Sequence, residues 1–486
     1  MNDYKDLSTP VPSYQKLFIG GQWRKPSSSD VIEIVSPITE EVIGSVPRAG
    51  VQDVNDAVAA ARQAFDHGPW PRMSMAERAE ILGRVAKEVE ARSPAMAACF
   101  TAEIGAPVAL SKAFHDTAKL MWLDATELAS KITTEELRVW SDGQARIFRE
   151  PVGVVGAIIP WNGPVTNASL KLAGPLAVGC TVVLKPAPEG PASTFLLAEA
   201  IAAAGLPEGV VSIIPADREV GEVIVTHPDV DMVCFTGSTV AGQRIMSLCG
   251  ERIARVGLEL GGKSAGIVAQ DVDFEDIVPS LVMAGVAHSG QICAALTRLL
   301  VPRRRHDEFV ELVAATLNGL KIGDPRDSDT EIGPLAAQRQ RDRVESYIAL
   351  GQSEGAQLVT GGRRPPHLDK GWFVEPTLFA NVDNSWRIAR EEIFGPVLCV
   401  IPYEDIDDAV SIANDSPFGL SGSIYTNDTE VAEYVIRRVR TGQITVNGFT
   451  MCVVQPYGGY KKSGLGREGG MEGLLSYFET KVVPGI

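Results

Sequence analysis

The chain has 486 residues, 45% of them hydrophobic, a length that predicts two or three domains with a large buried core. It carries 45 basic against 61 acidic residues, a formal net charge of −16, which argues against nucleic acid and against an anionic membrane surface as partners. The segment Met1–Asp6 lacks the basic-then-apolar pattern of a signal peptide and no run of about 18 uncharged apolar residues occurs, so we expect a cytoplasmic protein without a membrane span.

The first 150 residues predict a hairpin, two amphipathic helices and one exposed strand. The hairpin is expected around Ile19–Trp23. Apolar residues recur at helical spacing in Val54–Phe65 and again in Leu82–Val89. Before the second of these segments, Ser74–Glu77 has the sequence of a capping box. Arg146–Arg149 alternates polar with apolar residues, which favours an exposed or interfacial strand.

From residue 152 the pattern changes to buried strands that alternate with helices. Ala- and Leu-rich stretches such as Thr194–Ala204 have the length of a helix. The apolar runs of strand length are Val152–Ile159, Thr181–Leu184, Val210–Ile214 and Met232–Phe235. This alternation predicts a parallel, doubly wound sheet, the usual support for a dinucleotide.

A second α/β series begins near residue 264 and implies a second α/β domain, which carries Cys293. Helical segments such as Phe309–Leu320 occur in it, and Gly361–Pro366 has the composition of a surface loop. The strand-like runs are Leu299–Val301, Val397–Ile401, Ser423–Tyr425 and Ile444–Val446.

The cysteine and histidine residues argue against disulfides and against a metal. The seven cysteines are odd in number and form no CxxC pair. The six histidines form no HxH or HxxxH pair. We therefore expect neither a disulfide framework nor a metal site.

Cys293 and Glu259 are the first candidates for chemistry. Cys293 follows a helix-like apolar stretch, and Glu259 precedes Gly261 and Gly262. A thiol and a carboxylate in such settings suggest a nucleophile with a general base to serve it. The alternative is that neither residue has a catalytic role, because a buried cysteine is usually a small hydrophobic residue and a glutamate beside glycines is usually solvated.

The segment Phe235–Gly242 follows a predicted strand and opens a helix. Glycines and hydroxyls at a helix N-terminus leave free N–H groups beside the positive end of the dipole, which suits a pyrophosphate. A strand-turn-helix connection needs small residues for packing as well, so both interpretations stay open. Gln243 follows where a Walker loop would continue, and no GxGxxG occurs in the first βα turn.

Two further polar residues follow predicted strands, where ligands bind in open α/β sheets. Asn162, in Pro160–Asn162, could donate to a developing oxyanion, or it could merely form an Asx turn. Lys185 would reach the same crevice, although a lone lysine at a strand end is more often solvated.

Seven motifs in this order closely resemble the NAD(P)-dependent aldehyde dehydrogenase superfamily, from about residue 18 to the C-terminus. The motifs are Pro160–Asn162, Lys185–Ala187, Phe235–Ser238, Glu259–Lys263, Gly290–Cys293, Glu391–Pro396 and Gly458–Gly464. The resemblance implies an α/β fold with a Rossmann-like, doubly wound cofactor domain (1–130 and 152–261), a second α/β catalytic domain (262–463) and a small β oligomerisation arm (131–151 and 464–486). It also implies a homodimer or homotetramer.

The resemblance assigns catalytic roles to four residues. Cys293 would be the nucleophile, activated as a thiolate by a positive nicotinamide ring or by a helix terminus. Asn162 and the backbone N–H of Cys293 would form the oxyanion hole. Glu259 would activate the water that hydrolyses the thioester, and Lys171 matches a lysine that supports this region.

The resemblance also assigns the cofactor site, and the cofactor it implies is NAD, with NADP as the alternative. The implied cofactor-binding residues are Ile158, Pro160, Trp161, Lys185, Gly237, Ser238, Leu260, Glu392 and Phe394. Where many members have a carboxylate that binds both ribose hydroxyls, this chain has Pro188, with Glu189 displaced by one position. We favour NAD, because no arginine neighbours Lys185 and Glu189 would repel a 2′-phosphate.

The implied substrate is a medium-to-long or cyclic apolar aldehyde. Three positions where members often carry aromatics hold Gly163, Leu170 and Ala287, which predicts a wider, aliphatic pocket. The remaining pocket residues would be Ile292, Phe449, Met451 and Cys452. Alternative functions are a coenzyme A-acylating enzyme, a semialdehyde-specific dehydrogenase and a non-catalytic family member. Relatives that use coenzyme A commonly lack the glutamate, so Glu259 counts against the first.

Overall fold

A computed structural model of the chain describes residues 11–485, so the segment Met1–Asp6 considered above lies outside it. Within this range, no helix is long and apolar enough to cross a membrane.

Twenty-two strands occur in the described range. They are β1 Leu17–Ile19, β2 Gln22–Arg24, β3 Val31–Val35, β4 Val42–Pro47, β5 Glu135–Trp140, β6 Gly143–Pro151, β7 Val154–Ile158, β8 Thr181–Lys185, β9 Val211–Ile213, β10 Met232–Thr236, β11 Arg255–Glu259, β12 Ser264–Val268, β13 Leu296–Pro302, β14 Gln357–Thr360, β15 Thr377–Ala380, β16 Val397–Tyr403, β17 Phe418–Gly419, β18 Gly422–Tyr425, β19 Thr445–Val446, β20 Tyr460–Lys461, β21 Gly464–Leu465 and β22 Phe478–Pro484.

Fourteen α-helices occur in residues 11–485. They are α1 Val51–Asp66, α2 Met75–Ile104, α3 Val108–Ser130, α4 Pro164–Val178, α5 Pro191–Ala204, α6 Arg218–Thr226, α7 Thr239–Glu251, α8 Phe274–Val286, α9 His306–Gly319, α10 Gln338–Glu354, α11 Arg387–Arg390, α12 Ile406–Asn414, α13 Thr429–Arg438 and α14 Gly470–Leu475.

The first sheet has the order β2-β1-β9-β8-β7-β10-β11-β21. Its five central strands are parallel, and antiparallel strands close both edges. Strands β7 and β8 are buried throughout because helices pack on the sheet, which explains their continuous apolar sequences. The strand order reverses between β7 and β10, and such a reversal opens a crevice at the carboxyl ends of the strands.

The second sheet has the order β14-β15-β16-β13-β12-β18-β19 and is parallel except at the β14 edge. Strand β12 follows β11 after four residues, Leu260–Lys263, so the two sheets are joined immediately beyond Glu259. The carboxyl end of β11 therefore lies beside the half of the chain that carries Cys293.

A third sheet has the order β22-β6-β5 and is antiparallel. It contains most of the predicted arm segment 131–151. Only the end of the predicted segment 464–486 lies in it, because β21 pairs with β11 in the first sheet and α14 packs against α3 and α4. The extent of an oligomerisation arm stays a prediction, and strand β21, Gly464–Leu465, belongs to the edge of the first sheet.

Candidate active site

A tight left-handed turn leads to Cys293. Helix α8 is followed by His288, Ser289 and Gly290, with φ of 55°, 56° and 70°. Left-handed backbone is uncommon outside glycine and is found where surrounding contacts enforce it. Here Ser289 Oγ donates to the Gly333 carbonyl oxygen at 2.7 Å, which ties the turn to a neighbouring loop.

Asn162 is held against this turn, although it follows a strand of the first sheet. Its Nδ2 donates to the Gln291 carbonyl oxygen at 2.9 Å. Burial lowers the pKa of His288 to about 4, so its neutral ring donates from Nε2 to the Asn162 carbonyl oxygen at 3.1 Å. An amide group has two N–H hydrogens, and this contact uses one of them.

Cys293 is half-buried, and its sulfur lies 3.4 Å from the hydroxyl oxygen of Tyr457. Burial raises the pKa of this thiol to about 11, although the hydrogen bond from Tyr457 lowers it. Among residues 11–485, no helix begins at Cys293 itself, and help to the thiol from a nearby helix terminus or from a nicotinamide ring stays a prediction. Deprotonation of the thiol therefore depends on groups placed near the sulfur.

Glu259, the last residue of β11, is buried, and its Oε2 has no hydrogen-bond partner in the described part of the chain. Burial raises its pKa well above the ordinary value, Glu468 adds to the effect, and Lys171 and Arg467 oppose it. Lys171 is fully buried on α4 and forms an ion pair with Glu468. A buried carboxyl with a strongly perturbed pKa is typical of a functional site.

Tyr457 and Glu468 are site residues that the sequence did not reveal. Each donates its backbone N–H to the carbonyl oxygen of the other, at 2.7 and 2.8 Å. A Cβ built on the next residue, Gly458, would lie 2.6 Å from Glu259 Oε1. Cys293 and Glu259 thus flank the same short segment. The predicted motif began one residue later, at Gly458, and its spacing carries no signal for a hydroxyl aimed at the thiol.

The carboxyl ends of three adjacent strands border the predicted cofactor crevice. Ile158 of β7 pairs with Lys185 of β8 on one side and with Phe235 of β10 on the other. Pro160 and Trp161 follow β7 directly and lie beyond its end. The structure thus brings these predicted cofactor residues together at the reversal of strand order.

Lys185 is buried at this edge, with Nζ donating to the Ala216 carbonyl oxygen at 2.7 Å and to the Pro186 carbonyl oxygen at 3.2 Å. Burial lowers its pKa to about 8. Glu189, the displaced carboxylate, forms an ion pair with Arg339 near the start of α10. That arginine comes from the other half of the chain, so no local sequence signal could have predicted the pair.

The N-terminus of α7 faces the same crevice. Ser238 is its N-cap, and its Oγ accepts from the Ala241 N–H at 3.3 Å. The preceding Gly237 donates its N–H to the Glu259 carbonyl oxygen at 3.0 Å, which ties the turn to β11. Leu260 packs against Gly242, where a Cβ would lie 2.5 Å from the leucine side chain. A side chain at Gly242 would therefore require the Leu260 side chain to shift.

Glu392 and Phe394 reach the crevice from the second half of the chain. Glu392 Oε1 accepts from the Gly262 N–H at 3.0 Å, and burial raises the pKa of the carboxyl to about 7. Phe394 has φ of 62°, and its ring meets that of Trp161 edge to face with centroids 5.5 Å apart. The two predicted cofactor segments therefore contact each other across the crevice.

The predicted pocket residues are brought together in part. Ala287, Ile292, Phe449 and Met451 pack in one apolar cluster with Cys293 and Tyr457. Leu170 lines an adjacent cavity, together with Val453 and Leu474. Cys452 is half-buried, between Met451 and Val453 of that cluster.

Gly163 does not open free space in the way the sequence predicted. A Cβ on this glycine would lie 3.0 Å from Phe114 Cε1, because the aromatic ring of Phe114 reaches it from α3. The ring contacts Phe100 and His288 at centroid distances of 5.6 and 6.0 Å. An aromatic ring therefore fills the space beside Gly163, but helix α3 supplies it.

Among residues 11–485, no group of three or more His, Cys, Asp or Glu side chains is arranged to hold a metal ion.

Comparison with known proteins gave matches over nearly the whole chain. The model of the aldehyde dehydrogenase family matches residues 23–483. A geranial dehydrogenase of Castellaniella defragrans is 44% identical over 472 residues, which is 97% of this chain and 98% of the relative. A Mycobacterium tuberculosis aldehyde dehydrogenase complexed with NAD+ is 46% identical, with a TM-score of 0.93 and coverage of 97% and 98%. A mutant of aldehyde dehydrogenase C from Pseudomonas syringae, complexed with NAD+ and octanal, is 40% identical, with a TM-score of 0.94 and the same coverage.

Proposed function

This chain belongs to the aldehyde dehydrogenase family, as its motifs predicted, and we propose that it oxidises medium-to-long or cyclic apolar aldehydes to free acids with NAD. The main support is the convergence of three groups from separate elements. The Asn162 amide is held two residues from Cys293, and Cys293 and Glu259 flank Tyr457 and Gly458. Nucleophile, oxyanion donor and general base are then within one site.

In the proposed reaction the thiolate of Cys293 attacks the aldehyde carbon, and the carbonyl electron pair moves onto oxygen. The remaining amide hydrogen of Asn162 and the backbone N–H of Cys293 stabilise this oxyanion. NAD, when bound, accepts the hydride that leaves the carbon, and a thioester remains on Cys293. Glu259 then takes a proton from water as the water oxygen attacks the thioester carbon. The carbon–sulfur bond breaks, the acid leaves and the thiolate is restored.

The crevice residues fit a dinucleotide. The N-terminus of α7, capped by Ser238, offers N–H groups and the positive end of a helix dipole to a pyrophosphate. Glu392 and Phe394 would hold the nicotinamide half, and Lys185 with Trp161 the adenosine half. The relatives of known structure that contain NAD+ support NAD as the cofactor.

We propose NAD over NADP as the cofactor. The preference inferred from sequence must now take Arg339 into account. Glu189 lies at the lysine end of the crevice and would repel a 2′-phosphate, but its charge is paired with Arg339. Removing Arg339 leaves the carboxylate uncompensated, so the Arg339→Ala variant should use NADP even less well. A kcat/KM with NADP above that with NAD in the unaltered enzyme would contradict the proposal.

An apolar substrate fits the surroundings of Cys293. The cluster around the sulfur is made of aliphatic and aromatic side chains. The adjacent cavity has one charged lining residue, the acidic Asp124, and a carboxylate on the substrate would be repelled by it. Geranial and octanal, named for two of the relatives, are apolar aldehydes of this size and support the substrate class.

A series of linear aldehydes tests the substrate class. Each additional buried methylene group contributes ~0.8 kcal/mol, so kcat/KM should rise severalfold per carbon until the pocket is full. NADH absorbance should be followed from propanal to decanal, with geranial and succinic semialdehyde alongside, and with NAD and NADP in parallel. Equal rates across the series, or a preference for succinic semialdehyde, would refute the apolar assignment.

The Ala287→Phe variant gives the series an internal control. It restores bulk in the cluster beside Cys293, so activity on geranial and decanal should fall while activity on propanal is kept. A uniform loss on all aldehydes would instead indicate damage to the turn before Cys293. Coenzyme A should be added in one arm, because formation of an acyl-CoA product would favour the acylating alternative over hydrolysis through Glu259.

A further inference from the structure

The hydroxyl oxygen of Tyr457 lies 3.4 Å from the sulfur of Cys293. Tyr457 is 7% exposed, and its ring packs in the apolar cluster with Ile292 and Leu420. A buried phenol O–H needs an acceptor, because leaving it unpaired is unfavourable. Among the described contacts, Cys293 Sγ is the acceptor for this hydroxyl.

The backbone and an ion pair fix the position of this tyrosine. Its N–H and C=O form the reciprocal pair with Glu468, and the Glu468 carboxylate is held by the fully buried Lys171. The main chain of Tyr457 is therefore anchored, through Glu468 and Lys171, to helix α4, which packs on the first sheet. Its side chain has little freedom to turn away from the sulfur.

We propose that Tyr457 is a catalytic residue that donates its O–H to the thiolate of Cys293. The inference rests on Cys293 being the nucleophile of the proposed function. Hydrogen bonds to an ionised acceptor are stronger than those to a neutral one, so the donor stabilises the thiolate more than the thiol. When the thiol ionises, its proton passes to solvent, and the phenol keeps its own proton.

The same hydrogen bond acts again at the end of the cycle. When the thioester carbon–sulfur bond breaks, its electron pair returns to the sulfur and the thiolate re-forms as the leaving group. Donation from Tyr457 stabilises that charge as it develops. Burial opposes both steps by raising the thiol pKa, and Tyr457 acts against this effect.

The Tyr457→Phe variant tests the proposal, because it removes the hydroxyl and keeps the ring that fills the cluster. Iodoacetamide should be reacted with the protein in the absence of aldehyde and cofactor, over a range of pH. The Cys293 adduct should be quantified by peptide mass spectrometry. We expect the midpoint of Cys293 alkylation to rise by about one pH unit, with roughly tenfold slower alkylation at a fixed pH below both midpoints.

A matched control is Tyr477→Phe, which removes a buried hydroxyl 3.6 Å from the sulfur of a different cysteine, Cys234. It should leave the alkylation profile of Cys293 unchanged. An unchanged profile in Tyr457→Phe, or an equal shift in both variants, would overturn the proposal. Persistent aldehyde turnover by Cys293→Ala would instead overturn the proposed function, so the two failures are distinguishable.

Discussion

At Glu259, burial and the neighbouring Glu468 both favour the protonated carboxyl, yet the proposed role requires the ionised form. The fraction of carboxylate increases as pH rises through the raised pKa. Turnover limited by hydrolysis of the thioester should therefore increase with pH above the range in which an ordinary glutamate titrates.

The Glu259→Gln variant should lose this rising limb of the kcat–pH profile. Its steady-state rate should fall by ~10²–10⁴, the usual contribution of a general base. Steady-state NADH formation measured across pH gives both results. Rates within about threefold of the unaltered enzyme, with the same pH dependence, would remove Glu259 from the mechanism.

The individual site residues differ in how far the sequence could predict them. Cys293, Asn162 and Glu259 lie within short motifs, so their roles could be proposed from the resemblance. Tyr457 and Arg339 act across long separations in sequence, and their partners are defined only by how the two sheets meet. The roles of all these residues remain predictions, although the structure brings them together.

At the scale of elements, the turn before Cys293 depends on Gly290. Its φ is 70°, and a Cβ there would lie 2.1 Å from the Gly395 carbonyl oxygen. The Gly290→Ala variant should therefore be destabilised by roughly 1–3 kcal/mol and should lose activity, because the turn must shift and carry Cys293 with it. Chemical denaturation and NADH formation measure the two effects.

Gly83, within α2, provides the control for this substitution. A Cβ at Gly83 would meet no atom within 4 Å, and alanine is the better helix former. The Gly83→Ala variant should be more stable by about 0.5–1 kcal/mol, with unchanged activity. Equal stabilities of the two variants would show that the turn tolerates a side chain.

Most helices and strands were predicted to within a few residues, because each follows from a local pattern of apolar and polar residues. The hairpin, the Ser74–Glu77 capping box and the buried strands of the first sheet are all present. Chain ends and edges were harder to predict. Strand β21 has two residues and no apolar pattern of its own, so only its pairing with β11 shows where it belongs.

For the whole molecule, we propose that the β5-β6-β22 sheet forms an oligomer interface. Strand β5 is an edge strand that exposes Leu137, Val139 and Trp140, each by more than half. Large exposed apolar side chains on an unpaired edge are typical of a surface that another chain covers.

The Val139→Glu variant should dissociate the oligomer, because it places a charge on this edge. Val42, which is 55% exposed on the small sheet of β3 and β4, provides the matched control Val42→Glu. Light scattering coupled to size-exclusion chromatography gives the mass of each. A monomeric unaltered protein, or an unchanged mass in Val139→Glu, would exclude this edge as the interface.

We propose that aldehyde oxidation passes through a thioester on Cys293, which water activated by Glu259 hydrolyses. The most direct measurement is mass spectrometry of the Glu259→Gln variant, acid-quenched after mixing with NAD and octanal, with Cys293→Ala as the control. We expect an octanoyl group on the peptide that contains Cys293, formed together with about one NADH per site and absent from the control. No acyl adduct, or an adduct on another residue, would contradict it.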